Sequence, residues 1–350
     1  MQDKITQFDW AVIGAGPAGI AAVGKLIDNQ VKPEKIAWFD PEFRVGDFGS
    51  KWRKVPSNTK VSLFNRFLTA SDAFNYTNCP EKFALHNLNP DKTCELKFMA
   101  DPLQWVTAQL QKQVHWQAGL VKHLKLNHKH WEISLADQKL SAKNVILATG
   151  AEPKTLSFPA VQTIPLEMAF DPDHLAQNCS KEDTVAVFGS SHSAILIIRN
   201  LLENCSLKKV INFYQSPLRY AVYMDDWILF DDTGLKGTTA DWAREHIDGT
   251  LPPRLHRVLS SSENLQEYLP NCTKAVYAVG FQKRLISIEG FNDLSYDDKT
   301  GIIAPGLFGL GIAFPEGKID RLGNLEYRVG LWKFMDYLTT AMPLWLKYPA

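Results

Sequence analysis

The chain has 350 residues, room for about two domains, with 38 basic and 38 acidic residues and a formal net charge of zero. That balance leaves no electrostatic case for nucleic acid or an anionic membrane surface. Five scattered cysteines (Cys79, Cys94, Cys179, Cys205, Cys272) show no CxxC or zinc spacing. With no targeting leader and no bilayer-length apolar run, they predict a cytoplasmic protein without an integral membrane segment.

The chain is organised around the stretch VIGAGPAG at 12–19. Trp10-Ala11-Val12-Ile13 is short, apolar and partly β-branched, as a buried parallel strand should be. Gly14, Gly16 and Gly19 follow at GxGxxG spacing, and 20–27 continues with helical apolar periodicity. The first glycine permits the strand-to-helix turn, the second lets backbone approach a pyrophosphate, and the third allows close helix–sheet packing. The next strand, 35–39, ends at Asp40. An acid there accepts hydrogen bonds from ribose hydroxyls and repels a 2′-phosphate, so the first nucleotide is FAD or NAD rather than NADP.

Residues 41–70 read as a loop-rich stretch and 71–100 as polar and irregular, with Pro80 and Pro90 as breakers. A helix is expected over 101–114, with Asp101 as N-cap and Pro102 in its first turn. Alternating runs at 120–126 and 130–135 form a hairpin about Asn127-His128-Lys129. The histidines there (His123, His128, His130) lack carboxylate or cysteine company, so no metal site is assigned. The run NVILATG at 144–150 is a buried strand ending in small residues that admit close approach.

After a Pro- and Asp-rich connector at 151–183 the opening pattern recurs. A strand at 184–188 leads to Gly189-Ser190-Ser191-His192-Ser193-Ala194, a helix at 195–203 and a strand at 209–214. Asp40 lies 26 positions beyond Gly14, and 26 beyond Gly189 is Gln215, with Ser216 beside it and Arg219 close by. Replacing an acid with an amide, a hydroxyl and a guanidinium suits a 2′-phosphate, which predicts NADP and a preference for NADPH over NADH. His192 is expected to contact that cofactor. The aromatic and acidic patch at 220–232 is expected to form a lid or interface segment. The run KAVYAVGF at 274–281, with Gly280 in its turn, repeats the logic of 144–150. A glycine-punctuated strand at 306–314 precedes a final helix at 324–338, which should pack in the core and end before Pro343.

Taken in this order, the motifs resemble the two-dinucleotide-domain flavoproteins, the pyridine nucleotide oxidoreductases and flavin-containing monooxygenases. The resemblance spans nearly the whole chain. It implies an α/β fold of two Rossmann-like dinucleotide-binding domains. The FAD domain is discontinuous, at 1–165 and 286–350, with the NAD(P) domain inserted at 166–285. It places FAD on Gly14, Gly16, Pro17, Ala18, Gly19, Asp40, Pro41, Ser50, Lys51, Trp52, Asn58, Thr59, Val121, Ala148, Thr149, Gly150, Gly311 and Ile312. It places NADP on Gly189, Ser190, Ser191, His192, Ser193, Ala194, Gln215, Ser216, Arg219 and Gly280. The GGxW turn of flavin monooxygenases is matched in part by Gly49-Ser50-Lys51-Trp52. Asn58 stands where such proteins carry an asparagine near the isoalloxazine ring, either bonding a C4a-peroxyflavin or capping a turn. The FxGxxxHxxx(aromatic) motif is absent, since Phe158 is followed by Ala160, Ile164 and Met168 at its positions.

The expected activity is therefore an FAD-dependent oxidoreductase that takes hydride from NADPH (or NADH) and passes electrons to a small-molecule acceptor, with Asn58 and His192 as candidate catalytic residues. Its alternatives are a monooxygenase acting through a C4a-peroxyflavin and a non-catalytic flavin-binding module. Disulfide reductases of this fold resemble the chain in outline but need a cysteine pair beside the flavin, and the scattered cysteines of this sequence offer none, so that activity is not expected.

Overall fold

A computed structural model describes residues 6–135, 138–159, 161–291 and 295–350. The chain divides into two compact units, one of 1–53, 59–151 and 283–350, the other of 54–58 and 152–282.

The first unit is built on a parallel sheet whose strand order is His115–Ala118, Ile36–Asp40, Gln7–Ile13, Gln138–Leu147, Leu307–Gly309. Numbered along the chain this is 3-2-1-4-5, the doubly wound order, and its direction reverses between the first and fourth strands. The Gln138–Leu147 strand is long enough to serve two pairings. Its first half pairs antiparallel with the His130–Leu135 arm of a hairpin, and its second half pairs parallel with Gln7–Ile13. The hairpin's other arm is His123–Asn127, and His128 and Lys129 turn it at φ 46° and 67°, left-handed as a two-residue hairpin requires. Helix Pro17–Asp28 packs on the sheet through Ile20, Val23 and Leu26, all fully buried.

The second unit repeats the plan on a smaller scale. Its parallel order is Leu255–Leu259, Lys209–Tyr214, Thr184–Phe188, Lys274–Tyr277, Gln162–Thr163. Helix His192–Asn204 buries Ile195, Ile197, Ile198 and Leu201.

Three sequence expectations are corrected. The helix expected at 101–114 spans Lys97–Gln111 with Leu96 as N-cap. Asp101 lies inside it and pairs with Arg53 at 2.7 Å rather than capping, and Pro102, buried, sits in the second turn of the helix rather than the first. Within the stretch read as loop, Val61–Leu68 is a helix, its face of Val61, Phe64, Phe67 and Leu68 buried at helical spacing. The final helix starts at Leu331, because Leu325–Arg328 pairs instead as a strand with Glu316–Ile319 and Gly330 adopts φ 155°. It runs through Pro343 to Trp345, whose fully buried indole donates to Thr300 O at 2.6 Å.

Candidate functional site

Two turns, one per unit, share the same atomic construction. In the first, Ile13 pairs with Phe39 on one side and Leu147 on the other, so Gly14 leaves the sheet beside Ala148. Its φ is 112°, and a Cβ there would lie 2.2 Å from Ala148 O. Gly14 N–H donates to Phe39 O at 2.7 Å, and Gly14 O accepts from the Trp38 indole at 2.9 Å. A Cβ on Gly19 would lie 1.9 Å from Gly14 O. Only glycine fits at these two positions.

In the second turn, Phe188 pairs with Phe213 and Tyr277, and Gly189 leaves the sheet beside Ala278. Gly189 has φ 120°, and its Cβ would lie 2.4 Å from Ala278 O. Its N–H donates to Phe213 O at 2.9 Å, and its carbonyl accepts from Asn212 Nδ2 at 2.8 Å. Ala194, fully buried, takes the place of Gly19.

Each turn feeds a helix whose first-turn N–H groups receive no side-chain cap, at Gly16 and at Ser191. A helix amino terminus left in that state presents donors and a positive dipole end to an anion. Both turns sit at the carboxyl edge of a parallel sheet where strand order reverses, the position at which such sheets take a dinucleotide.

Around the first turn lies a cleft of 430 Å³ whose lining includes Gly14, Asp40, Pro41, Ser50, Lys51, Val121 and Thr149, all among the residues on which the resemblance places FAD. Asp40 is 8% exposed and already works within the fold. Its Oδ2 accepts from Ala15 N–H at 2.8 Å, and its Oδ1 from Glu42 and Phe43 N–H at 2.9 and 2.7 Å. A carboxylate has about four acceptor positions, so one on Oδ2 is left open. Gly311, at φ 89°, runs against the first turn of the helix, where a Cβ would lie 2.7 Å from Ala18 Cβ. Ile312 beside it is 39% exposed. Gly150, at φ 71°, closes the Ala148-Thr149-Gly150 turn. Trp52, Asn58 and Thr59 do not line this cleft, and Asn58 belongs with residues 54–57 to the second unit.

Five charged residues of the cleft carried no sequence signal: Glu42, Arg44, Asp47, Lys122 and Arg284. Arg284 donates its N–H to Gly150 O at 3.1 Å and its carbonyl accepts from Thr149 Oγ1 at 3.3 Å, while its guanidinium pairs with Asp47. It arrives from a distant part of the chain in no recognisable motif. Only the topology brings it here.

In the second unit, Ser190 and Ser216 bring their hydroxyls within 3.4 Å, joining the glycine turn to the strand end where Gln215 is exposed. They replace the carboxylate bridge that Asp40 makes in the first unit. Arg219 is exposed, with its guanidinium 4.5 Å above the Phe230 ring. His192 opens its helix with Nε2 3.4 Å from Thr239 Oγ1 and a buried Nδ1 that finds no partner among the described residues. Burial, and then the charge of Lys236, push its imidazole down to about 4, so it is neutral at pH 7. Lys236 is itself buried and paired with Asp231. Ser193 follows in the helix, and Gly280, at φ 97°, accepts from Lys154 N–H at 2.9 Å. The 220–232 segment carries an exposed run, Val222, Tyr223 and Met224.

Of the positions of the absent histidine motif, Ala160 lies outside the described residues. Ile164 is buried at 4% and its N–H bonds to Ala275 O, so that position is part of the core. None of the five cysteines lines the cleft around the first turn. Among the described residues no helix is long and apolar enough to cross a membrane, and no cluster of three metal-ligating side chains occurs.

Two glycine turns of one design, each on a doubly wound sheet, define a two-dinucleotide-domain flavoprotein. Residues 8–198 match the family described as pyridine nucleotide-disulphide oxidoreductase. The chain is 36% identical to Monooxygenase AgnR1 of Paecilomyces divaricatus, covering 96% of this chain and 97% of that protein. Among solved structures, an ornithine N-hydroxylase from Kutzneria sp. 744 aligns at TM-score 0.66 and 14% identity, over 97% of this chain and 99% of that one. A flavin-containing monooxygenase from Stenotrophomonas maltophilia aligns at 0.64 and 14%, over 98% and 99%. The chain belongs to the pyridine nucleotide-disulphide oxidoreductase family and is an FAD- and NAD(P)H-dependent oxidoreductase.

Proposed function

We propose that the protein is a flavin-dependent monooxygenase that draws its reducing equivalents from NADPH and acts on a small molecule. The observation that carries this is the likeness to a protein named a monooxygenase, 36% identical over 96% of this chain and 97% of that one, which favours oxygen as the acceptor.

When bound, FAD supplies hydride acceptance and the reaction with oxygen. The chain's own residues bind and orient. The uncapped amino end of helix Pro17–Asp28 receives the pyrophosphate of FAD, with glycine at 14, 16 and 19 letting backbone approach. The open acceptor position of Asp40 takes a ribose hydroxyl, and Val121 supplies apolar wall. Gly311 and Ile312 flank the rest of the nucleotide. In the second unit the helix at His192 receives the NADPH pyrophosphate, and Ser190, Ser216 and Arg219 receive the 2′-phosphate. His192, held neutral, offers a hydrogen bond without adding charge.

Reducing the holoprotein anaerobically with NADPH and then admitting oxygen tests this. A long-lived absorbing transient before return of the oxidised spectrum is expected. Immediate return with one peroxide per flavin would overturn oxygenation and leave a reductase of some other diffusible acceptor.

A further inference from the structure

The glycine turn of the second unit is held by a side chain that itself needs holding. Asn212 is fully buried. Its Nδ2 donates to Val187 O at 2.9 Å and to Gly189 O at 2.8 Å. The first carbonyl belongs to the strand and the second to the glycine that turns the backbone, at φ 120°, toward helix His192–Asn204. Both amide hydrogens are thereby spent, and Oδ1 is left needing a donor where water does not reach. Arg257 supplies it, donating from Nε to Oδ1 at 2.9 Å.

An asparagine side chain has a donor end and an acceptor end of nearly the same shape, so its neighbours decide which way it faces. A guanidinium only donates. With Arg257 on one side and two carbonyls on the other, a single orientation satisfies every group. Without Arg257, Oδ1 becomes a buried acceptor with no partner, which is costly. The amide then turns or withdraws, and Gly189 O loses its donor.

The register sets these residues in one row across three adjacent strands, Val187 opposite Asn212 and Asn212 opposite Arg257. The matching row of the first unit is Val12, Trp38 and Trp116. There the donor to Gly14 O is the Trp38 indole, at 2.9 Å. An indole is rigid, with one N–H and no acceptor to satisfy. It needs no donor from the third strand, and Trp116 in that place is 45% exposed. The second unit makes the same bond with a two-ended amide, and a donor stands on the third strand. Arg257 is fixed in turn by Tyr214, two residues along from Asn212 on the same face, with the guanidinium carbon 4.7 Å from the ring centroid.

We propose, resting on the assignment of this turn to the nicotinamide cofactor, that Arg257 is a positioning residue for that cofactor. Acting through Asn212, it holds the Gly189 carbonyl and with it the turn that receives the pyrophosphate. Arg219 serves the 2′-phosphate, which only NADPH carries. The pyrophosphate is common to NADPH and NADH, so losing Arg257 weakens both alike.

The test is equilibrium dialysis of the holoprotein with NADP and with NAD, together with the limiting rate of anaerobic flavin bleaching by NADPH. Arg257→Leu should raise both dissociation constants about 10-fold, with limiting rate and FAD content unchanged. Arg257→Gln should recover most of that affinity, because the glutamine Nε2 reaches the place of the arginine Nε and keeps the bond to Oδ1 without the charge. Adding Arg257→Leu to Asn212→Leu should do no further harm, since the arginine acts through the amide. A wild-type holoprotein that binds neither nucleotide would remove the cofactor assignment and this role with it. Wild-type affinity in Arg257→Leu would overturn this role alone. So would a loss confined to NADP, a lower limiting rate at unchanged affinity, further weakening in the double variant, or an Arg257→Gln chain as weak as Arg257→Leu. Asn212→Asp keeps the shape and an acceptor for Arg257 but sets a carboxylate oxygen against Gly189 O. It decides the matter where a leucine variant fails to fold: both nucleotides should bind about 10-fold more weakly, and wild-type affinity would overturn the role.

Discussion

Asp40→Asn is nearly isosteric, yet the structure predicts a large effect. The carboxylate accepts three backbone N–H bonds, from Ala15 at 2.8 Å, Glu42 at 2.9 Å and Phe43 at 2.7 Å. Hydrogen bonds to a charged acceptor contribute about 1.5–3 kcal/mol each. An asparagine whose oxygen faces Glu42 and Phe43 keeps two of them in weaker, neutral form. Its NH2 then faces the Ala15 N–H, donor against donor, with the group 8% exposed. The net cost is about 3 kcal/mol of stability in the apo-protein. Since Ala15 sits between Gly14 and Gly16, the same change displaces the glycine turn and removes the ribose acceptor. FAD affinity should fall about 100-fold, the equivalent of about 2.7 kcal/mol. Urea unfolding of the apo-protein reads the first quantity and quenching of FAD fluorescence the second. A variant within about 0.5 kcal/mol of wild type, with FAD bound as before, would refute the role given to Asp40.

Gly311→Ala puts a Cβ 2.7 Å from Ala18 Cβ at a residue with φ 89°, so FAD retention should drop through purification while the second unit still binds nucleotide, as equilibrium dialysis with NADP would show. Arg219→Ala removes the guanidinium assigned to the 2′-phosphate. It should raise the NADPH requirement for flavin reduction about 10- to 100-fold with NADH unaffected, and an equal loss for both nucleotides would relocate the phosphate site. His192 folds as a neutral imidazole with its pKa near 4 against 6.5 in the unfolded chain. Between those values the unfolded chain holds the extra proton, so stability falls as pH drops from 6.5 toward 4, by about 3 kcal/mol in all. His192→Gln should flatten that part of the stability–pH curve. An unchanged acid slope would mean the imidazole is not buried as described.

The two nucleotide turns are legible in the sequence because local rules and global topology agree there. A buried strand, a glycine turn and an amphipathic helix each announce themselves within about twenty residues. The equal spacing from Gly14 to Asp40 and from Gly189 to Gln215 misses the structural equivalence by one residue: Gly14 bonds to Phe39 and Gly189 to Phe213, so Tyr214 stands at the place of Asp40 and Gln215 lies one beyond it. The features hidden from the sequence depend on long-range packing. Val61–Leu68 has helical spacing, but its aromatics read equally as loop, and only the core they enter decides. The start of the last helix is obscure because Leu325 and Tyr327 suit either a helix or a strand until their pairing with Glu316–Ile319 is known. Arg284 in the cleft depends on where the sheet brings distant segments, which no spacing rule encodes.

The central claim is that both nucleotide turns work together in one redox enzyme. The measurement that tests it most directly is the absorbance of the isolated protein under argon, before and after one equivalent of NADPH. An oxidised-flavin spectrum that bleaches on mixing is the predicted result. A flavin spectrum unchanged by NADPH and by NADH would contradict it and leave a flavin-binding protein that turns nothing over.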